Sequence, residues 1–70
     1  MTLLDSDFGE RVRRMRQQRA LTQRELADRA RISEATLIRL ERGQRPPRPT
    51  TLRKLARALG VKPLELTTDG

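Results

Sequence analysis

Two helix-initiation signals stand so close together in this chain that they fix the geometry between the segments they start. Thr22 followed three residues later by Glu25 is the pattern of a capping box, in which each side chain bonds the other residue's backbone amide. Behind it, Leu26, Ala27 and Ala30 recur as a buried stripe, which predicts a short helix over 23–30. Ser33 is a second N-cap and predicts another helix from Glu34 to about Arg42, closed by Gly43, whose tolerance of positive φ ends helices at little cost. Only Arg31 and Ile32 lie between the first segment and that cap. Helices joined so tightly cannot lie flat and antiparallel, so they must cross steeply.

The remaining elements follow from spacing. Phe8, Val12 and Met15 lie on one side of an N-terminal helix over about 6–19, with Arg11, Arg13, Arg14, Arg16 and Arg19 around the rest and Asp5, Asp7 and Glu10 at the positive end of the macrodipole. QRPPRP, from Gln44 to Pro49, is a stiff extended loop, because proline lacks an amide donor and restricts the residue before it. A fourth helix over about 50–59 presents Leu52, Leu55, Ala56 and Leu59 to a core and stops at Gly60. Pro63 suits the first turn of a brief fifth helix over 63–67. Seventy residues with 34% hydrophobic content and Phe8 as the sole aromatic support one small core of aliphatic side chains, which helices suit better than sheets. The expectation is an all-α, compact five-helix fold with residues 1–70 as a single domain.

Charge narrows the function. Sixteen Lys and Arg against nine acids leave a net charge of +7, which favours a polyanionic partner, nucleic acid first, although a GC-rich genome also enriches arginine. Cysteine and histidine are absent, so disulfides, thiolate zinc sites and imidazole chemistry are excluded. Ser33 and Thr36 have no histidine base, the carboxylates are scattered, and no glycine-rich phosphate cradle is present; the expectation is therefore no enzyme, no metal, no cofactor and no small-molecule ligand. The acidic N-terminus and the lack of a run of about 20 apolar residues predict neither signal peptide nor membrane span, hence a soluble cytoplasmic protein associated with the nucleoid. RNA ranks below DNA, because aromatic stacking platforms are missing.

The third helix carries the functional pattern. At 3.6 residues per turn, Leu37 and Leu40 fall on one side, and Ala35, Ile38, Arg39 and Arg42 on the other, with Glu34 flanking the first turn. If the leucines anchor inward, the outer side has a shape that enters a major groove, with an exposed Ile38 as its least expected member. The same spacing also describes an ordinary surface helix with a stray isoleucine.

LTQRELADRARISEATLIRLERG, from Leu21 to Gly43, resembles the helix-turn-helix of the phage repressor and Cro-type regulators, the XRE family, and TLRKLARALGV, from Thr51 to Val61, is similar to its fourth helix. The resemblance spans nearly the whole chain. It implies a lambda-repressor-like domain whose third helix reads double-stranded DNA of an operator, in a transcriptional regulator of the repressor kind. Glu34, Ala35, Ile38 and Arg39 match positions that read bases. Arg39 suits guanine, Ala35 and Ile38 suit thymine methyls, and Glu34 either accepts from cytosine or serves the helix dipole. Gln23 matches a phosphate-binding glutamine, and Arg42, Gln44, Arg45 and Arg48 lie where relatives contact phosphates. Arg16 and Glu41 match a buried ion pair between the first helix and the end of the third; without the resemblance they read as independent surface charges. Two-fold operators imply a homodimer, with Val61, Leu64 and Leu66 as candidate dimer residues.

Two departures stand out. Arg31 replaces the glycine of the turn, where a left-handed conformation costs about 1 kcal/mol or more. Arg48, followed by Pro49, replaces a small polar cap. A competing expectation is a basic protein-interaction module or antitoxin-like adaptor with only non-specific affinity for nucleic acid.

Overall fold

The computed structural model describes residues 5–67. Five helices follow one another: α1 (Asp5–Gln18), α2 (Gln23–Ala30), α3 (Glu34–Glu41), α4 (Pro49–Leu59) and α5 (Pro63–Thr67), and among the described residues there is no strand. Each contributes its apolar stripe to one core: Phe8 and Val12 from α1, Leu26, Ala27 and Ala30 from α2, Leu37 and Leu40 from α3, Leu55, Ala56 and Leu59 from α4, and Leu66 from α5. α1 packs on α3, α2 lies against both α3 and α4, and α5 closes the bundle against α4 and α1.

Four helix ends are made in the same way. After α1, α2, α3 and α4, Ala20, Arg31, Gly43 and Gly60 take positive φ, and the next residue's amide reaches back five positions, as Ile32 N does to the Ala27 carbonyl at 3.0 Å and Val61 N to that of Ala56 at 2.9 Å. Glycine serves α3 and α4 without strain. Arg31, at φ 58° and ψ 44°, adopts the left-handed turn despite its side chain, because its amide satisfies the Ala27 and Asp28 carbonyls there and the short connection leaves no other route. That conformation stores about 1–2 kcal/mol.

The boundaries move by a residue where capping decides them. α1 runs from Asp5 to Gln18 rather than over 6–19, and α3 stops at Glu41 because Arg42 is its C-cap. α4 starts at Pro49, which needs no amide partner in a first turn, with Arg48 an N-cap whose side chain makes no capping bond.

Two expectations about apolar residues are corrected. Leu66 is fully buried in the core, so it is no dimer contact, and Val61 is half-covered against the same core; only Leu64, 66% exposed, remains on the outside. Ile38 is half-buried rather than exposed, since it sits about 100° around the helix from Leu37, at the border of the buried face.

The capping box of α2 is complete: Thr22 Oγ1 accepts from Glu25 N at 3.0 Å, and Glu25 Oε1 accepts from Thr22 N at 2.9 Å. The bond from the Thr22 backbone, helped by the Thr22 hydroxyl and by Arg29 against a slight burial effect, holds the Glu25 carboxyl below its ordinary pKa. Thr22→Ala should lower the unfolding free energy by about 1 kcal/mol. Because Glu25 is depressed in the folded protein, its contribution is complete above the unfolded carboxyl pKa and disappears as pH falls through the lower folded value. Urea midpoints taken across the acidic range should therefore fall less steeply for Glu25→Gln than for the unsubstituted protein; parallel curves would remove Glu25 from the acid response.

Candidate nucleic-acid interface

α3 is held from below and behind. Leu37 and Leu40 are essentially inaccessible to solvent, and Ser33 caps the first turn, its Oγ accepting from Thr36 N at 3.1 Å while its hydroxyl donates to Thr36 Oγ1 at 2.8 Å. The opposite side presents Glu34, Ala35, Arg39 and Arg42, all exposed, with half-buried Ile38 at its edge. Four residues singled out for base contact thus share one helix, though Ile38 offers only part of its surface.

The far end of α3 is clamped by charge. Arg16 presents a fork to Glu41, with Nε donating to Oε2 at 2.7 Å and Nη2 to Oε1 at 3.0 Å, and its third nitrogen, Nη1, donates to the Leu21 carbonyl at 2.9 Å. Both side chains are largely withdrawn from solvent, 12% and 3% exposed. Two parallel charge-assisted bonds fix direction as well as distance, so α1 and the end of α3 are held in one register. Gln23, at the first position of α2, joins them: its Nε2 donates to Glu41 Oε1 at 3.1 Å. The side chain carried over as a phosphate contact is thereby oriented by the buried pair, and one of its two amide protons is already engaged.

Beyond α3, Gln44, Arg45 and Arg48 are exposed on the proline-rich loop. Arg45 and Arg48 line a pocket of about 180 Å³ together with Thr36 and Leu40 of α3, Pro46, and Thr51 of α4. Two guanidinium groups and two hydroxyls beside the recognition surface make a suitable setting for a phosphate oxyanion.

Some positioning contacts carry no sequence signal. Arg19 Nε donates to the Leu59 carbonyl at 2.8 Å, tying the end of α1 to the last turn of α4 across forty positions of chain. Gly9 is buried where α1 passes over the Leu40 and Glu41 backbone. Neither periodicity nor capping pattern indicates which distant carbonyl a side chain or backbone will meet.

Among the described residues, no group of three or more His, Cys, Asp or Glu side chains is placed to hold a metal, and no helix is long and apolar enough to cross a membrane.

A family model described as helix-turn-helix, HTH_3, matches residues 12–66. An uncharacterised HTH-type transcriptional regulator of Sinorhizobium fredii is 45% identical over 60 residues, covering 86% of this chain and 78% of that protein. Among solved structures, the restriction-modification controller protein C.AhdI of Aeromonas hydrophila superposes with a TM-score of 0.86 at 35% identity, over 89% of this chain and 94% of that one. SinR, a master regulator for biofilm formation solved in complex with DNA, gives a TM-score of 0.81 at 27% identity, over 84% and 95% of the two chains. The match runs from the second half of α1 into α5 and takes in the whole clamped α2–α3 pair, so this chain belongs to the HTH_3 helix-turn-helix family.

Proposed function

We propose that this protein is a sequence-specific, double-stranded DNA-binding transcriptional regulator that lays α3 in the major groove of an operator and represses by occupying it. The observation that carries the proposal is the two-sidedness of α3: Leu37 and Leu40 are sealed in the core while Glu34, Ala35 and Arg39 stand clear on the other side. Arg39 donates two hydrogen bonds to guanine, Ala35 and the free part of Ile38 pack on thymine methyls, and Glu34 accepts from cytosine. Arg42, Gln44, Arg45 and Arg48 take phosphates on one flank, and Gln23, with its remaining amide proton and the free amides of the α2 N-terminus, takes one on the other. The chemistry is recognition alone, without a catalytic step.

Operators with two-fold symmetry are read by pairs of such units on half-sites about 34 Å apart, and a second copy of this chain is the natural partner on DNA. Exposed Leu64 on α5 is the candidate contact between copies. The protein works where its DNA is, in the cytoplasm at the nucleoid.

Selection of duplexes from a random library should return a defined sequence, and two variants should then divide the roles. Arg39→Ala is expected to lose about 1–3 kcal/mol of discrimination at one base pair. Arg45→Ala or Arg48→Ala should weaken selected and scrambled duplexes alike and lower the salt slope by about 0.9 each. Equal losses on both duplexes for Arg39→Ala would take that residue out of base readout. Recovery of no sequence preference at all would favour a basic protein-interaction module instead.

A further inference from the structure

A second basic feature lies outside the surface just described. Between the C-terminal end of α2 and the side of α4 runs a groove of about 550 Å³ whose walls carry Arg29, Arg31, Arg53, Lys54 and Arg57, with Thr50 at one end and Ala30 in its floor. All five cations are exposed, and no carboxylate lines the groove. Arg29 is offset by Glu25 on its own helix. The charged heads of Arg31, Arg53, Lys54 and Arg57 make no hydrogen bond or ion pair among the described residues. Like charges gathered along one groove repel one another in the isolated protein, and that repulsion is relieved when a polyanion enters.

The position of the groove indicates which polyanion. Arg31, on its α2 wall, is the left-handed C-cap that leads through Ile32 to Ser33, the N-cap of α3. Thr50, on its α4 wall, is the sequence neighbour of Thr51, which with Arg48 lines the small basic pocket beside α3. The groove therefore adjoins, through both of its walls, segments that lead to or from the recognition helix. From Thr50 to Arg57 the groove runs about 10 Å along α4, long enough to face at least two consecutive phosphates of one strand. Four of the five cations are arginines, whose planar forks match phosphate oxygens in pairs.

We propose that the α2–α4 groove holds the sugar-phosphate backbone of the duplex that flanks the base pairs read by α3, extending the contact beyond the recognised site. The inference rests on α3 reading DNA and adds to it a sequence-independent anchor built from Arg31, Arg53, Lys54 and Arg57. These residues supply affinity and salt dependence and leave base preference unchanged.

The test compares the library-selected duplex trimmed to its recognised base pairs with the same duplex extended by about one helical turn, 10 bp, on each side. The full chain is compared with Arg53→Gln/Lys54→Gln/Arg57→Gln, whose substitutions are exposed and keep helix propensity, so the circular dichroism spectrum should be unchanged and melting nearly so. The unsubstituted protein should hold the longer duplex at least tenfold more tightly at about 0.1 M salt, with a salt slope steeper by about 2–3 units, near 0.9 per phosphate. The triple variant should lose that gain and keep its ratio of selected to scrambled binding. Equal affinity of the unsubstituted protein for the two lengths, or an undiminished gain in the triple variant, overturns the inference. Poly-glutamate binding that is lost in the triple variant while both duplexes bind normally also overturns it, and assigns the groove to an acidic polypeptide. Loss of selected-over-scrambled preference in the unsubstituted protein is a different failure, that of base reading by α3.

Discussion

Arg16→Met is expected to cost about 3–5 kcal/mol of folding free energy, the usual penalty for removing one partner of a buried ion pair. A chain of this size has only about 4–10 kcal/mol in all, so the variant should sit near or beyond its folding limit at physiological temperature. The reason lies with Glu41 more than with Arg16. Its side chain is 3% exposed, its carboxylate accepts two bonds from Arg16 and one from Gln23, and the residue occupies the last position of α3, where the helix dipole is itself negative. Without the guanidinium, a buried anion remains at the negative end of a helix with one neutral donor, and the Leu21 carbonyl loses its partner as well. Melting should drop by about 15 °C or more, at roughly 4–8 °C per kcal/mol for so small a protein.

The pair need not be a net source of stability. Arg16→Met/Glu41→Leu removes both charges together and should recover most of what either single substitution loses, since apolar replacement of a whole buried pair is often neutral. What the double variant should not recover is DNA affinity, because the fork and Gln23 set the end of α3 and the start of α2 relative to α1. A double variant as unstable as the sum of the two single ones would show that Arg16 and Glu41 act independently.

The contrast between this pair and the helices marks what the sequence contains. Capping is local: Thr22 with Glu25, and Ser33, each settle a helix start from within three residues, and the structure has α2 and α3 starting where those signals stand. The outward side of α3 was legible for a related reason, since Leu37 and Leu40 lie three apart and a helix admits one arrangement with both inside. Ile38, next to that stripe, lies deeper than its angle alone implies, because a helical wheel assigns directions and not the depth of the neighbours. The Arg16–Glu41 fork joins residues 25 positions apart and was legible only through family resemblance. Five residues of α5 carry too little periodicity to tell core Leu66 from a surface leucine; the packing of α5 on α1 and α4 is what buries it. Arg31 was recognisable as a misfit in a glycine position, yet only the backbone bonds to Ala27 and Asp28 explain why the turn keeps its left-handed form.

Gly9→Ala should be destabilising by about 1–2 kcal/mol, against the rule that alanine improves a helix interior. In an unhindered helix the exchange gains about 1 kcal/mol, because glycine loses more backbone freedom on folding. Here a Cβ would stand 2.7 Å from the Glu41 carbonyl oxygen and 2.9 Å from its carbon, and closer still to the Leu40 carbonyl oxygen. All three are backbone atoms in the last turn of α3, which cannot swing aside as a side chain can, so α1 must lift away. Overpacking of that kind costs about 1–3 kcal/mol, sometimes more, and lifting α1 also stretches the Arg16–Glu41 fork that joins the same two helices. The two effects are coupled: the loss for Gly9→Ala should shrink when Arg16 and Glu41 are already replaced by Met and Leu, because no short charged bond then opposes the shift. Urea denaturation of the four proteins in that cycle measures the coupling. A stabilised Gly9→Ala, gaining the ordinary helix propensity, would mean that α1 and α3 do not approach backbone to backbone, and α1 would then not hold the last turn of α3 in place.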